Sequence, residues 1–256
     1  MGPILRVEGI SQRFGGLQAV SDASFTVEDR AITSLIGPNG AGKTTVFNLL
    51  TGFLLTQSGR VLFREQSIER RAPSEIAQLG IGRTFQDPRV FPDMSVLDNV
   101  AVGLRQSSEW PLWAVLRGAR VRAERSAARS RSEAMLDAVG LLGRASEPAK
   151  DLSFGEQRFL SIARTLVSRP ALILMDEPTV GLDRSGLGKL LELMQRMVSE
   201  FHTALLVIEH NMEVVMSVSA KIVLMVQGAT VAAGTSDEIR RHPNMVDAYL
   251  GTKHAG

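Results

Sequence analysis

There is no cysteine in the chain, which removes disulfide frameworks, thiolate metal sites and thiol nucleophiles from consideration and suits a reducing compartment. Long apolar runs are missing too. The longest, such as Ala171–Met175 and Ala204–Ile208, are five residues. A spanning helix needs about 20, so no bilayer-crossing segment is expected. The opening Met1–Arg6 has neither the cationic start nor the long apolar stretch of a signal peptide, and Arg6 stands where a myristoylation motif wants Ser or Thr. A chain that is soluble when isolated is expected. A strong excess of one charge is also absent, with 29 Lys+Arg against 27 Asp+Glu giving +2. The stretch 117–131 alone carries +5, from six arginines against Glu124, so the remainder is slightly acidic. A local base excess argues against a general nucleic-acid binder. It fits either a solvated helical face or a surface for anionic headgroups or an acidic partner. What remains is ordinary globular usage, 44% hydrophobic and 22% charged over 256 residues, enough for one large domain or two intimate ones.

The first 65 residues read as short β-strands, Ile4–Ile10, Phe25–Glu28, Ile32–Ile36 and Arg60–Phe63, interrupted by one helix, Gly42 to Leu50. Ile81–Phe85 alternates as a further strand. From Pro92 the pattern turns helical, with Ser95 and Asp98 as an N-cap pair and a long helix over Arg120–Val139. Helices over Phe154–Val167 and Ser185–Glu200 then alternate with the wholly apolar strands Leu172–Met175 and Leu205–Ile208. Near-continuous apolar strands separated by helices indicate a buried parallel sheet. The expectation is an α/β core with a mainly helical insertion at about 88–160.

Gly37-Pro38-Asn39-Gly40-Ala41-Gly42-Lys43-Thr44 fits G-x-x-x-x-G-K-[ST] between an apolar strand and a helix, the context that motif requires. Its glycines let backbone N–H groups turn toward phosphate, and the helix N-terminus adds partial positive charge. Lys43 would then reach the β- and γ-phosphates and Thr44 would ligate Mg²⁺. Asp176 and Glu177 end a second apolar strand at the carboxyl edge where open α/β sheets bind ligands. Asp176 suits the Mg²⁺ side, and Glu177 suits a general base for the attacking water. His210 ends the other apolar strand, where a lone His is either structural or part of the same edge. Gln86 ends Ile81–Phe85, where its amide could touch Mg²⁺ or water.

Leu152-Ser153-Phe154-Gly155-Glu156-Gln157 opens a helix, and Ser153 with Glu156 is a capping box in its own right. Gly155 is unfavourable in a first turn unless something approaches the backbone. A helix N-terminus with a hydroxyl and a bare glycine is also a second phosphate site, which two subunits packed head to tail could offer to one nucleotide.

In their order these motifs resemble the ATP-binding cassette ATPases over nearly the whole chain. The resemblance implies a P-loop NTPase (RecA-like) parallel-sheet core, an N-terminal antiparallel β subdomain and an inserted α-helical subdomain. It implies a single nucleotide-binding domain in which about 88–160 is helical and 1–87 with 161–256 supply the rest. It implies ATP and Mg²⁺ as ligands and a phosphate loop that extends to Thr45. Phe14 is then the aromatic on adenine, although by composition alone it would be core. It further implies Gln86 as the glutamine loop, Ser153, Gly155 and Glu156 as the signature, Asp183 in the loop after the acidic strand end, and His210 as the switch histidine. Arg13–Leu17, Gly80–Gln86, Ile208–Met212, the tail Ala248–Gly251 and the tryptophan-containing insertion after Val102 are similar to the subunits serving branched-chain amino-acid uptake. Phe154 and Glu156 depart from the commoner glycine and glutamine, and Glu28-Asp29-Arg30 lacks the usual turn glycine. The implied partners are two membrane permease subunits, a second ATP-binding subunit and, indirectly, a periplasmic or extracellular solute-binding protein, at the cytoplasmic face of the inner membrane. Soluble cassettes acting on ribosomes or DNA, and exporter ATPases, are the alternatives.

Overall fold

The computed structural model describes residues 2–104, 118–243 and 245, with 118–125 described in backbone only. The expectations that involve Trp110, Trp113 and the tail Ala248–Gly251 lie outside the described residues. The described residues fall into two compact units, one within 1–86, 171–180 and 194–256 and one within 87–170 and 181–193.

The first unit holds two sheets. Strands β1 (Pro3–Phe14), β2 (Leu17–Glu28), β4 (Ser58–Phe63) and β5 (Gln66–Ser67) form an antiparallel sheet in the order β2-β1-β4-β5. β1 and β2 are longer than their apolar patterns indicate. Register shifts interrupt their pairing, including one between Val7 and Ile10 around Gly9, and each bulge flips the inside-outside alternation on which a strand reading depends. The turn after β2 has no glycine, and Arg30 itself takes the left-handed conformation there, φ 50°.

The second sheet runs β10-β9-β3-β8-β7-β6, with β3 (Ile32–Ile36), β6 (Ile81–Thr84), β7 (Leu172–Asp176), β8 (Ala204–Ile208) and β9 (Lys221–Val226) parallel, and β10 (Ala229–Gly234) antiparallel at one edge. β3 and β8 are buried at every position, which their unbroken apolar runs require. Leu35, Leu174, Leu206 and Val223 join a core with Val46, Phe47 and Leu50 of helix α1 (Lys43–Leu50), and with Phe25 and Phe63 from the first sheet. Ile36, Ile222 and Leu224 join a second core with Val215 of α7 (Met212–Val218) and Ile239 of α8 (Ser236–Arg241). Helix α2 (Pro73–Leu79) leads into β6. Because β3, β6, β7 and β8 run the same way, the chain leaves all four at one edge of the sheet, and the segments after them meet there.

The second unit is helical. α3 (Val96–Val102), α4 (Gly118–Ala138) and α5 (Phe154–Leu166) pack on one another, and the first part of α6 (Arg184–Ser199) belongs to this unit as well. Ser95 caps α3 by accepting from the Asp98 N–H at 3.0 Å. Within the arginine-rich stretch, the exposed Arg129 pairs with Glu133 at 2.8 Å one turn on, as on a solvated helical face. No described helix is long and apolar enough to cross a membrane.

Candidate nucleotide site

Residues 37–42 leave β3 and curl into α1. Gly37 has φ 153°, and a Cβ there would lie 2.2 Å from the Met225 carbonyl oxygen. Gly42, at φ 95°, would place a Cβ 2.3 Å from the Ala19 carbonyl oxygen. Both positions therefore demand glycine, for conformation and for space. Gly42 is the N-cap of α1 and supplies no side-chain cap. The first N–H groups of a helix have no intrahelical acceptors, so this terminus is suited to an anion. Asn39, Gly40 and Thr44 are exposed, Pro38 and Thr45 are half-buried, and Ala41 is buried with its carbonyl accepting from the Gly228 N–H. Lys43 Nζ donates to the Gly37 and Pro38 carbonyls at 2.8 and 3.0 Å, closing the loop on itself. Burial holds the Lys43 amine below its ordinary pKa, partly opposed by the carboxylates of Glu177 and Asp176.

Asp176 is the last residue of β7. Burial raises its pKa, against the pull of Arg83, whose guanidinium lies 3.7 Å away. The sequence alone does not single out Arg83 as a site residue. It comes from β6, donates to Asn48 Oδ1 at 2.8 Å and Thr51 Oγ1 at 3.0 Å, and sits over the Phe85 ring at 4.8 Å. β6 ends at Thr84, one residue before the expected end, and Phe85 turns edge-on to Phe53.

Glu177 lies just past β7 with φ 46°, a conformation that non-glycine residues rarely adopt, and its N–H donates to the Ile208 carbonyl. Gln86 donates to Glu177 Oε2 at 3.2 Å, and His210 Nδ1 lies 3.8 Å from Glu177 Oε1. Residues from the ends of β6, β7 and β8 thus converge on one carboxylate. Beneath them is Glu209, which sequence reasoning marks only as the neighbour of His210. It is 1% exposed, and it accepts from the Thr179 N–H at 3.0 Å and the His210 N–H at 3.2 Å. A charged residue directly after a wholly apolar strand is the signal that points to it.

Phe14 is 44% exposed at the β1–β2 hairpin, which excludes the core reading and leaves its ring available to a flat ligand. Ser153, Gly155, Glu156 and Asp183 all belong to the second unit. Ser153 and Glu156 form a capping box on α5. The approach that Gly155 implied exists: a Cβ there would meet Leu182 Cδ2 at 3.3 Å. Asp183 Oδ1 accepts from the Gly186 N–H at 2.7 Å at the start of α6. Among the described residues no group of three or more His, Cys, Asp or Glu could cage a metal ion. The oxygen donors Thr44, Asp176 and Gln86 fit instead a hard cation that takes its remaining ligands from phosphate and water.

A family model described as ABC transporter matches residues 20–180. The chain belongs to the ABC transporter family. Among its relatives is the LivG protein of Salmonella typhimurium, a high-affinity branched-chain amino acid transport ATP-binding protein, 42% identical over 97% of this chain and 98% of that one. BraF of Pseudomonas aeruginosa, described in the same terms, is 40% identical over the same shares. Among solved structures, a nucleotide-free ATP-binding cassette from an ABC transporter superposes with TM-score 0.83 at 30% identity, covering 97% of this chain and 99% of that one. An ABC transporter cassette in its ADP conformation gives TM-score 0.83 at 30% identity, over 98% of this chain and all of the other. The cassette fold is therefore an α/β P-loop ATPase, with the parallel sheet carrying the acidic strand ends and the phosphate loop on one edge.

Proposed function

We propose that this cassette is the ATP-hydrolysing subunit of a multi-chain importer for branched-chain amino acids or related small polar solutes. It works at the cytoplasmic face of the inner membrane beside two permease subunits, a second ATP-binding subunit and, indirectly, a solute-binding protein. The observation that carries this reading is the convergence of Gln86 and His210 on Glu177, one residue beyond the buried Asp176 and on the edge that carries the phosphate loop.

In this reading the N–H groups of 39–45 and the Lys43 ammonium bind the triphosphate, and Phe14 packs on the base. Thr44, Asp176 and Gln86 would hold Mg²⁺, which screens phosphate charge and orients the terminal phosphoryl group. Glu177 accepts a proton from the water that attacks the γ-phosphorus, while His210 and Gln86 fix its two oxygens. Breaking the bond to the β-phosphate oxygen leaves ADP and inorganic phosphate. Ser153 and Gly155 complete the site on the partner cassette, head to tail, so binding closes the pair and hydrolysis reopens it. The identities of LivG and BraF support the choice of solute class.

The test is Glu177→Gln beside Lys43→Ala. Glu177→Gln should retain ATP affinity, lose hydrolysis by about 10²–10⁴-fold, and accumulate an ATP-dependent dimer in light scattering. Lys43→Ala should weaken ATP binding itself. Near-normal turnover in Glu177→Gln would remove the general base from this reading.

A further inference from the structure

α5 begins with a feature that conflicts with anion binding. Glu156 is its third residue, and Glu156 Oε2 accepts from both the N–H and the Oγ of Ser153 at 2.8 Å. A carboxylate there caps the helix well but also cancels the positive end of the helix dipole that would attract phosphate. Burial pushes the Glu156 carboxyl up. The Ser153 N–H, the Arg144 guanidinium and the Ser153 hydroxyl outweigh it and hold the pKa below the ordinary carboxylate range, so the charge stays at neutral pH.

Arg144 reaches that charge from the short 3₁₀ turn Leu142–Arg144, in the same unit. One guanidinium nitrogen donates to both Glu156 oxygens at 2.9 Å. The others donate to Glu147 Oε2 at 2.8 and 2.6 Å and to the Asp151 carbonyl at 3.1 Å. Arg144 and Glu156 lie on different elements, so this is not helix-face pairing, and the single nitrogen shared between both carboxylate oxygens is a charge-assisted contact that places the positive charge against Glu156. We propose that Arg144 is a positioning residue for the signature helix, neutralising Glu156 so that Ser153 and Gly155 can receive the nucleotide's terminal phosphate. The inference rests on the reading that this helix terminus meets nucleotide.

The experiment is a double-mutant cycle in the full chain, with wild type, Arg144→Met, Glu156→Gln and the double variant. Hydrolysis is followed against ATP concentration, and ATP-dependent dimerisation is measured in a Glu177→Gln background. With Glu156 present, Arg144→Met should raise the ATP KM and the concentration needed for dimerisation by about tenfold, since it exposes phosphate to an uncompensated like charge. High salt should narrow the gap. In the Glu156→Gln background, the same arginine change should cost under about twofold, because the charge it compensates is gone. An arginine that only braces Glu147 and the Asp151 carbonyl would cost the same in both backgrounds, and equal costs overturn the proposal. No effect of Arg144→Met on KM or dimerisation also overturns it. Arg144→Gln, which keeps a donor for Asp151, repeats the cycle should Arg144→Met fold poorly. Ser153→Arg separates the two levels. If it leaves dimerisation and turnover unchanged, the nucleotide reading of this helix falls. If it abolishes dimerisation while Arg144 acts independently of Glu156, only the present inference falls.

Discussion

Replacing Arg83 by Met tests how Asp176 is kept ionised. The guanidinium and carboxylate are 3.7 Å apart with side chains 9% and 12% exposed, so solvent screening is weak. With an effective dielectric near 20, such a pair attracts by about 4 kcal/mol. Opposite charges at this range lower a carboxyl pKa by about 1–3 units. Asp176 is already pushed upward by burial, so losing Arg83 moves it further in the same direction. A carboxylate is ionised above its pKa, so the acid limb of kcat/KM should shift to higher pH by about 1–3 units. The Mg²⁺ requirement at neutral pH should rise with it. Stability should suffer as well, because a broken buried pair costs about 3–5 kcal/mol, roughly a 10 °C fall in Tm at this chain length. The pH dependence of that deficit has a definite sign. A native carboxyl with a raised pKa binds protons more tightly than the unfolded chain, so the variant should regain stability as pH falls through the raised value. Arg83→Lys keeps the charge and should hold the acid limb near wild type, while losing the bonds to Asn48 and Thr51. An unshifted acid limb in Arg83→Met, with a Tm deficit independent of pH, would refute the reasoning.

Glu209→Gln puts an amide N–H₂ against backbone donors from Thr179 and His210; a loss of about 1–3 kcal/mol in stability is expected, and kcat should fall more than ATP affinity, read from turnover and nucleotide titration. Phe91, five residues after Gln86, is 44% exposed with the Arg164 guanidinium over its ring, and its N–H donates to Asn99 Oδ1 at 2.8 Å, so in the importer reading it is an apolar side chain held where a permease subunit could contact it. Phe91→Asp should abolish co-purification with the permease while Tm stays near wild type; unaltered co-purification would place the permease contact elsewhere.

What can be read from the sequence is what short stretches of chain decide by themselves. The phosphate loop, Asp176-Glu177 and the Ser153–Glu156 capping box need only neighbours in sequence, and the apolar runs of β3, β7 and β8 need only burial on both faces. β1 and β2 read short because bulges break a period-two pattern. Arg83 is visible as the odd member of the alternation Ile81, Arg83, Phe85. Nothing local says that its partners are Asn48, Thr51 and Asp176, because those contacts exist only once β6 lies beside β7 in register and α1 packs on the sheet.

The same limit explains why the roles of the acidic residues are harder to read than their presence. Three carboxylates gather at one sheet edge, and their surroundings differ in kind. Asp176 is buried, which raises its pKa, and the charges of Arg83 and Lys43 pull the other way and favour its anion. Glu209 is fully enclosed and accepts backbone N–H groups, which commits its charge to holding Thr179 and His210 in place. Glu177 keeps 27% of its side chain exposed and is met by an amide and an imidazole, the setting of the three nearest to solvent. In the proposed reading it is environment, not residue type, that separates a metal-side ligand, a brace and a base. That division requires β6, β7 and β8 to end together, a consequence of their parallel pairing that no single segment encodes.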